Sequence, residues 1–250
     1  MMKAIILAGG HGTRLRPATL AVNKHLLPVA GKPMILYGIE ALRDAGIRDI
    51  ILSITHVNPY GFMELLRGGD DYGVHISYVY QHGIEGIAWA INEAQPWIGN
   101  EPFVVYLGDN IFADGIKDCI DPFIRNPSLP QVFLKRVSKV EEASRYGVAS
   151  FTDAPLGVDM DLDEFYEKPA ISEFVEKPQR PLSPYIVLGL YCLTPKFFDI
   201  FQGLKPSSRG EYEITDALNA LIPVGYRVYE DLWWDCGTFR DMHDASEKIW

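Results

Sequence analysis

From Lys3 to Pro17 the chain reads KAIILAGGHGTRLRP. The run KAIILA (3–8) reads as a buried strand, and glycines 9, 10 and 12 break it at once. Downstream, Pro33 precedes Ile35, Leu36, Ile39 and Leu42 at helical spacing, with Gly46 after them. That pattern predicts a helix with proline near its start and glycine at its end. The cycle then repeats. DIILSIT (49–55), HISYVY (75–80) and PFVVYL (102–107) read as strands, each followed by helix-compatible sequence around 59–67, 85–95 and 114–125. Apolar strands alternating with helices predict an α/β fold, doubly wound around a mostly parallel sheet that is covered on both faces.

The second half is less regular. VFLKRV (132–137), YGVASF (146–151), ISEFVE (171–176) and YIVLGLYCL (185–193) read as strands without long helices between them, which predicts mixed or antiparallel pairing. Helices return at EYEITDALNALI (211–222) and at 238–248. No linker, low-complexity tract or long-period repeat divides the chain, so a single domain over 1–250 is expected.

Composition narrows the function classes. With 250 residues, 48% of them hydrophobic, the chain can bury a full core. No apolar run is long enough to span a bilayer, so no membrane partner is expected and the cytoplasm is the default compartment. Cys119, Cys192 and Cys236 are widely separated and form no CxxC pair, which predicts packed thiols and neither a disulfide framework nor a zinc site. The net charge of −10 argues against a nucleic-acid polymer, whose binding needs a basic face. Yet residues 1–39 contain Lys3, Arg14, Arg16, Lys24 and Lys32 and no acid, leaving 18 basic and 33 acidic residues for the rest. That asymmetry suits a small phosphorylated ligand near the N-terminus.

The stretch from Leu7 to Pro17 offers the place for it. Gly9, Gly10 and Gly12 let backbone amides approach a phosphate, and Thr13, Arg14 and Arg16 supply hydroxyl and guanidinium donors. No Gly-Lys-Ser/Thr closes the loop as in a Walker A motif. The dinucleotide fingerprint fails as well, because Leu15 stands at its third glycine and no acid follows before Glu40. A dinucleotide-binding oxidoreductase is thereby disfavoured.

The string GGHGTRLRPATLAVNKHLLPVAGKPMI resembles the signature of sugar-1-phosphate nucleotidyltransferases, in which G-x-G-T-R-L-x-P is followed by a lysine and L-L-P. The resemblance is strongest to the glucose-1-phosphate thymidylyltransferase group. It continues in family order through Gln81, YLGDNIF, RYGV, FVEKP, GLY, LKPSSRGEYEITDALN and WWDCGTF, covering essentially the whole chain. It implies a Rossmann-like nucleotidyltransferase fold with a nucleotide-binding half (1–130) and a sugar-binding half (131–250). The reaction it implies is attack by a sugar 1-phosphate oxygen on the α-phosphorus of dTTP or UTP, with Mg2+ as cofactor and pyrophosphate as leaving group.

By the same resemblance Arg14, Lys24, Asp109, Lys177 and Asp235 carry the chemistry, and Asp109 and Asp235 are the metal ligands. Leu7, Gly9, Gly10, Gly12, Thr13, Arg14, His25, Gln81 and Gly86 bind nucleotide, with Gln81 reading a pyrimidine edge that thymine and uracil share. Asn110, Gly147, Glu176, Lys177 and Val187 bind the hexose 1-phosphate. Arg209, Glu211 and Glu213 support the pocket, and Ser208 is a helix-cap candidate. A non-catalytic nucleotide-sugar binder would have no need for both metal carboxylates and both phosphate cations.

Two departures bear on nucleotide preference: His25 stands where the group commonly has glutamine after the lysine, and Trp89 where it has Ala-Gln. Trp89 is expected to pack on a helix face. Glu-Lys-Pro occurs twice, at 167–169 and 176–178. The second copy lies one short, proline-rich connection before the strand containing Gly-Leu-Tyr, so Glu176 and Lys177 are assigned to the sugar phosphate. Glu167 and Lys168 fall in an acidic insertion spanning 152–170. Longer thymidylyltransferases continue past this chain's last helix with segments tied to oligomer contacts, and a dimer is the expected assembly.

Overall fold

The computed structural model describes residues 2–56, 58–83, 85–155 and 169–250. In the first half, β1 (Lys3–Leu7), the short β2 (Pro28–Val29) and β3 (Lys32–Pro33), and helix α1 (Met34–Asp44) are followed by β4 (Asp49–Ile54), α2 (Tyr60–Leu66) and β5 (His75–Tyr80). Helices α3 (Ile87–Glu93) and α4 (Gln95–Ile98) lead to β6 (Phe103–Leu107), β7 (Asn110–Phe112) and α5 (Lys117–Arg125). The second half runs β8 (Gln131–Arg136), β9 (Gly147–Pro155), β10 (Pro169–Glu176), β11 (Tyr185–Leu193), α6 (Lys196–Phe201) and α7 (Ile214–Leu221). It closes with β12 (Gly225–Val228), β13 (Trp233–Asp235) and α8 (Phe239–Ile249).

The main sheet has the order β10-β9-β11-β6-β1-β4-β5, with β8 on β11 and β12 on β8. Strands β5, β4, β1 and β6 are mutually parallel, Ile5 standing opposite Ile51 on one side and Val105 on the other. The chain winds outward from β1 to β5, then crosses back to β6 on the far side of β1. That reversal opens a crevice at the carboxyl ends of β1 and β6, where open α/β sheets receive ligands. The glycine loop leaves the first of these strands and Gly108-Asp109 the second.

Strand alternation explains the double winding. Ala4, Ile6 and Ala8 pack with Ile39 of α1, Phe62 of α2 and Phe123 of α5, while Ile5 and Leu7 pack with Ile91 of α3, Phe197 of α6 and Leu218 of α7. Successive residues thus bury into opposite layers. The second half shows the expected mixed or antiparallel pairing: β11 runs antiparallel to β6, β8 and β9, and β12 runs parallel to β8. Cys192 and Cys236 are buried and Cys119 half-buried, all as free thiols.

Some elements fall outside the sequence reading. Strands β7 and β13 pair antiparallel beyond the sheet, with Asn110 opposite Asp235. Three residues are too few to show a period. Helix α7 begins at Ile214, not Glu211, and Glu213 occupies its N-cap, so Ser208 does not cap it. The preceding segment is held elsewhere: Tyr212 N–H donates to Glu85 O, Ala88 N–H donates to Tyr212 O, and Ser207 Oγ donates to Glu213 Oε1. Strands β9 and β10 pair antiparallel. The acidic insertion between them, with Glu167 and Lys168, lies outside the described residues. Among the described residues no helix is long and apolar enough to cross a membrane.

Candidate active site

The glycine loop is shaped by what leans on it. A Cβ at Gly9 would lie 2.2 Å from Gln81 Oε1, and one at Gly10 would lie 3.2 Å from Lys24 Cε. A side chain at Gly9 would displace the Gln81 amide, and one at Gly10 would press on the end of Lys24. Gly12 takes φ +60° and its carbonyl accepts from Thr19 Oγ1 at 2.8 Å, closing the loop back on itself. Lys24 reaches across the loop from a single 3-10 turn (Lys24–Leu26) and pairs with Asp109 at the end of β6.

Two cavities open on either side of Asp109. The smaller, about 220 Å³, is lined by Leu7, Gly9, Gly10, His25, Gln81 and Gly86, together with Lys24 and Glu211. The larger, about 450 Å³, is lined by Arg14, Asn110, Gly147, Glu176, Lys177, Val187 and Asp235. Asp109, Leu107 and Ile87 line both. Of the loop residues assigned above, Gly12, Thr13 and Arg16 line neither cavity, because the segment turns toward Thr19, and Arg14, grouped with the nucleotide residues, lines the larger cavity and not the smaller.

In the larger cavity Glu176 is the organising acid. Its Oε1 lies 3.0 Å from Lys177 Nζ and 3.6 Å from Arg209 Nη2, and its Oε2 accepts from Thr215 Oγ1 at 3.5 Å. Arg209 also holds the buried Glu213 through two bonds of 3.0 and 2.9 Å and reaches Glu211 at 2.9 Å, so the 207–213 segment braces both cavities. Lys177 has φ +42°, a strained setting for a non-glycine residue, and its N–H donates to Tyr146 O at 3.0 Å. Gly147 is required by crowding, since a Cβ there would lie 2.9 Å from Thr215 Cγ2.

A family model described as nucleotidyl transferase matches residues 3–250. The chain belongs to the nucleotidyl transferase family. This nucleotidyl transferase is 39% identical to the glucose-1-phosphate thymidylyltransferase of Xanthomonas campestris pv. campestris (strain B100), over 99% of this chain and 80% of that one. It is 35% identical to the low-salt glycan biosynthesis nucleotidyltransferase Agl11 of Haloferax volcanii, over 99% of this chain and 66% of Agl11's length. Its fold is similar to a crystal structure from Bacillus anthracis, provisionally described as a glucose-1-phosphate thymidylyltransferase, in complex with sucrose. The TM-score is 0.87 at 35% identity, covering 100% of this chain and 95% of that one. It is also similar to a UDP-glucose pyrophosphorylase complexed with UDP-glucose, with a TM-score of 0.82 at 27% identity over 99% and 98% of the two chains.

The electrostatics of this nucleotidyl transferase centre on two acids. Burial alone would raise the Asp109 carboxyl, but the Lys24 ammonium and hydrogen bonds from Lys24 and Asn110 outweigh it and hold Asp109 well below the usual range. Asp235 goes the other way, pushed up to about 6 by burial and then by the negative charge of Asp109. Among the described residues no third metal-ligating side chain joins them. Two crowded carboxylates, one strained toward protonation, fit a hard divalent cation whose remaining ligands come from phosphate and water. His25 is pushed down to about 3, chiefly by burial and then by Lys24, and is therefore neutral. Its Nδ1–H donates to Asn23 Oδ1 at 2.8 Å.

Asn110 is more heavily committed than a sugar ligand needs to be. Its Oδ1 accepts from Gly189 N–H at 3.0 Å and Trp233 Nε1–H at 2.8 Å, and its Nδ2 donates to Asp109 Oδ1 at 3.1 Å. Trp89 packs against Phe201 and Tyr212, with ring centroids 6.0 and 5.5 Å away, as expected of a helix-face residue. Arg145, Tyr191, Thr215 and Trp233 line the larger cavity without having been singled out. All four lie inside quoted motifs, Arg145 in RYGV and Tyr191 in GLY, yet none was given a role there, because the motif does not say which of its side chains turns inward.

Proposed function

We propose that the chain is a Mg2+-dependent nucleotidyltransferase that joins dTTP and glucose 1-phosphate to give dTDP-glucose and pyrophosphate. The observation that carries this reading is the meeting of the two cavities at Asp109, the smaller rimmed by the glycine loop and Gln81, the larger by Glu176 and Lys177. A sugar phosphate in one and a nucleoside triphosphate in the other would face each other across that carboxylate. An oxygen of the sugar phosphate would then bond to the α-phosphorus as the bond to the pyrophosphate oxygen breaks.

In this reading the chain's own residues align and neutralise. Gly9 and Gly10 admit the triphosphate against backbone, with Leu7, Gly12 and Thr13 shaping the loop. Arg14 balances charge on the departing pyrophosphate, and Lys24 moves between Asp109 and a phosphate oxygen. Lys177 neutralises the sugar phosphate while Glu176, Gly147, Val187 and Asn110 border the sugar. Gln81, Gly86 and His25 surround the base. Asp109 and Asp235 would hold Mg2+, which when bound offsets phosphate charge and polarises a phosphoryl oxygen. Residues 1–130 supply most of the nucleotide side and 131–250 most of the sugar side, with Arg14 and Asn110 crossing to the larger cavity and Glu211 to the smaller, within one domain, in the cytoplasm. Light scattering tests the expected dimer.

A second reading, transfer from UTP, is supported by the likeness to a UDP-glucose pyrophosphorylase complexed with UDP-glucose, and the Gln81 amide matches thymine and uracil alike. The deciding experiment mixes dTTP or UTP with a panel of hexose 1-phosphates and Mg2+ and measures pyrophosphate release. Fastest release with dTTP and glucose 1-phosphate is expected. Silence across the whole panel would sink the enzyme reading.

A further inference from the structure

Strand β4 reads DIILSI, and its single polar residue between apolar neighbours, Ser53, is fully buried. A buried hydroxyl without a partner costs about 1–3 kcal/mol, so its partner matters. That partner is the side chain of Gln81: Nε2–H donates to Ser53 Oγ at 2.9 Å. Gln81 is itself buried, and its amide lies flat against Gly9, where a Cβ would come within 2.5 Å of both Cδ and Nε2. The next residue is held too, because His82 N–H donates to both Glu93 carboxylate oxygens at 3.1 Å. The amide is therefore pinned by Ser53 at one nitrogen hydrogen and by Gly9 along its face. The carbonyl oxygen and the second nitrogen hydrogen remain for the smaller cavity, which Gln81 lines.

We propose that Ser53 is a positioning residue for nucleotide binding: its hydroxyl holds the Gln81 amide so that one acceptor and one donor face the base together. This rests on the base-reading role proposed for Gln81. The terminal amide torsion of glutamine is broad, so without an anchor the amide swings off the base edge. A hydroxyl can accept or donate, so the anchor fixes the place and plane of the amide. Loss of the anchor therefore weakens binding of a base that offers N3–H and O4, thymine or uracil alike, while the phosphate chemistry is untouched.

The test compares wild type, Ser53→Ala, Ser53→Thr and Gln81→Ala with dTTP and UTP. Ser53→Ala is expected to raise KM for dTTP about three- to tenfold, the worth of one neutral hydrogen bond, with kcat within about twofold. The KM for UTP, which offers the same base edge, should rise alike, and Ser53→Thr, which keeps the hydroxyl, should restore both. In the ligand-free protein, the Gln81 side-chain amide resonance, assigned by its absence in Gln81→Ala, should broaden or shift in Ser53→Ala. That readout stands even if turnover is weak, and Ser53→Cys replaces Ser53→Ala should the alanine variant not fold. Unchanged KM and amide resonance in the Ser53 variants, with a raised KM in Gln81→Ala, would overturn the inference alone. An unchanged KM in Gln81→Ala would instead overturn the base-reading role beneath it.

Discussion

Lys177 holds a left-handed backbone at φ +42° while its ammonium faces Glu176. Such strain persists where surroundings impose it, here the bond from its N–H to Tyr146 O. The duplicated Glu-Lys-Pro becomes a mutational question at this scale. Lys177→Ala should lower kcat/KM by about 100-fold or more, the usual cost of losing a charge that faces a reacting phosphate, whereas Lys168→Ala should leave turnover within about twofold. Equal losses in steady-state assays would reverse the assignment of the two copies. Asp235 makes a second prediction, in pH. Its folded-state value of about 6 exceeds the ordinary carboxylate value of 3.8. Well below pH 3.8 the group is protonated folded or unfolded and costs nothing. As pH rises from 3.8 to 6 the unfolded state ionises while the folded state resists, and above 6 the folded state bears the full penalty of a buried charge beside Asp109. Asp235→Asn should therefore stabilise the metal-free protein at pH 8, on the order of 1–3 kcal/mol, with the gain vanishing near pH 3. Thermal melts in a chelator at both pH values check this. A destabilised variant at pH 8 would show that the carboxylate is not strained. The same substitution should abolish Mg2+-supported turnover.

At the scale of elements, the site is assembled by close backbone approaches more than by any one strand or helix. Gly86 is the sharpest case. It adopts φ +103°, and a Cβ there would lie 2.5 Å from Tyr212 O and 2.8 Å from Tyr212 N. That contact seats the entry of α3 on the segment leading into α7, and Arg209 on the same segment braces Glu176. Gly86→Ala should then lower Tm by roughly 5 °C and weaken both nucleotide and sugar-phosphate binding. Calorimetry with each ligand alone measures it, and a loss confined to nucleotide would mean that the junction does not reach the larger cavity. The β7–β13 pair works similarly. It sets Asp235 opposite Asn110, and Cys236 N–H donates to Asp109 O at 2.8 Å, so the two acids are aligned by backbone bonds before any cation arrives. Nothing in NIF or WWD taken alone announces a strand, since each is three residues long.

For the molecule as a whole, the main sheet was readable from local pattern because its central strands are buried on both faces. KAIILA, DIILSIT, PFVVYL and YIVLGLYCL could hardly lie anywhere but between two layers, and their helices show the complementary period. The glycine loop, the acid after β6 and the order of motifs were equally local, and they led to the family before any coordinates. Less of the site was legible. Ser53 looks like a stray polar residue until Gln81, 28 positions on, folds back to it. Arg145 and Tyr191 stand in the motifs RYGV and GLY, but that their side chains line the larger cavity is decided by the packing around β9 and β11. Helix α7 starts late because Tyr212 and Ser207 find partners elsewhere, a competition that helical periodicity does not record. Sequence alone determined the layers, the phosphate-facing loop and the cast of acids and cations, since those depend on residue type and short-range spacing. Tertiary structure alone decided which side chains face one another, that Asp109 is depressed while Asp235 is raised, and how an amide is anchored. These follow from distance and burial between residues remote in the chain, which local spacing leaves open.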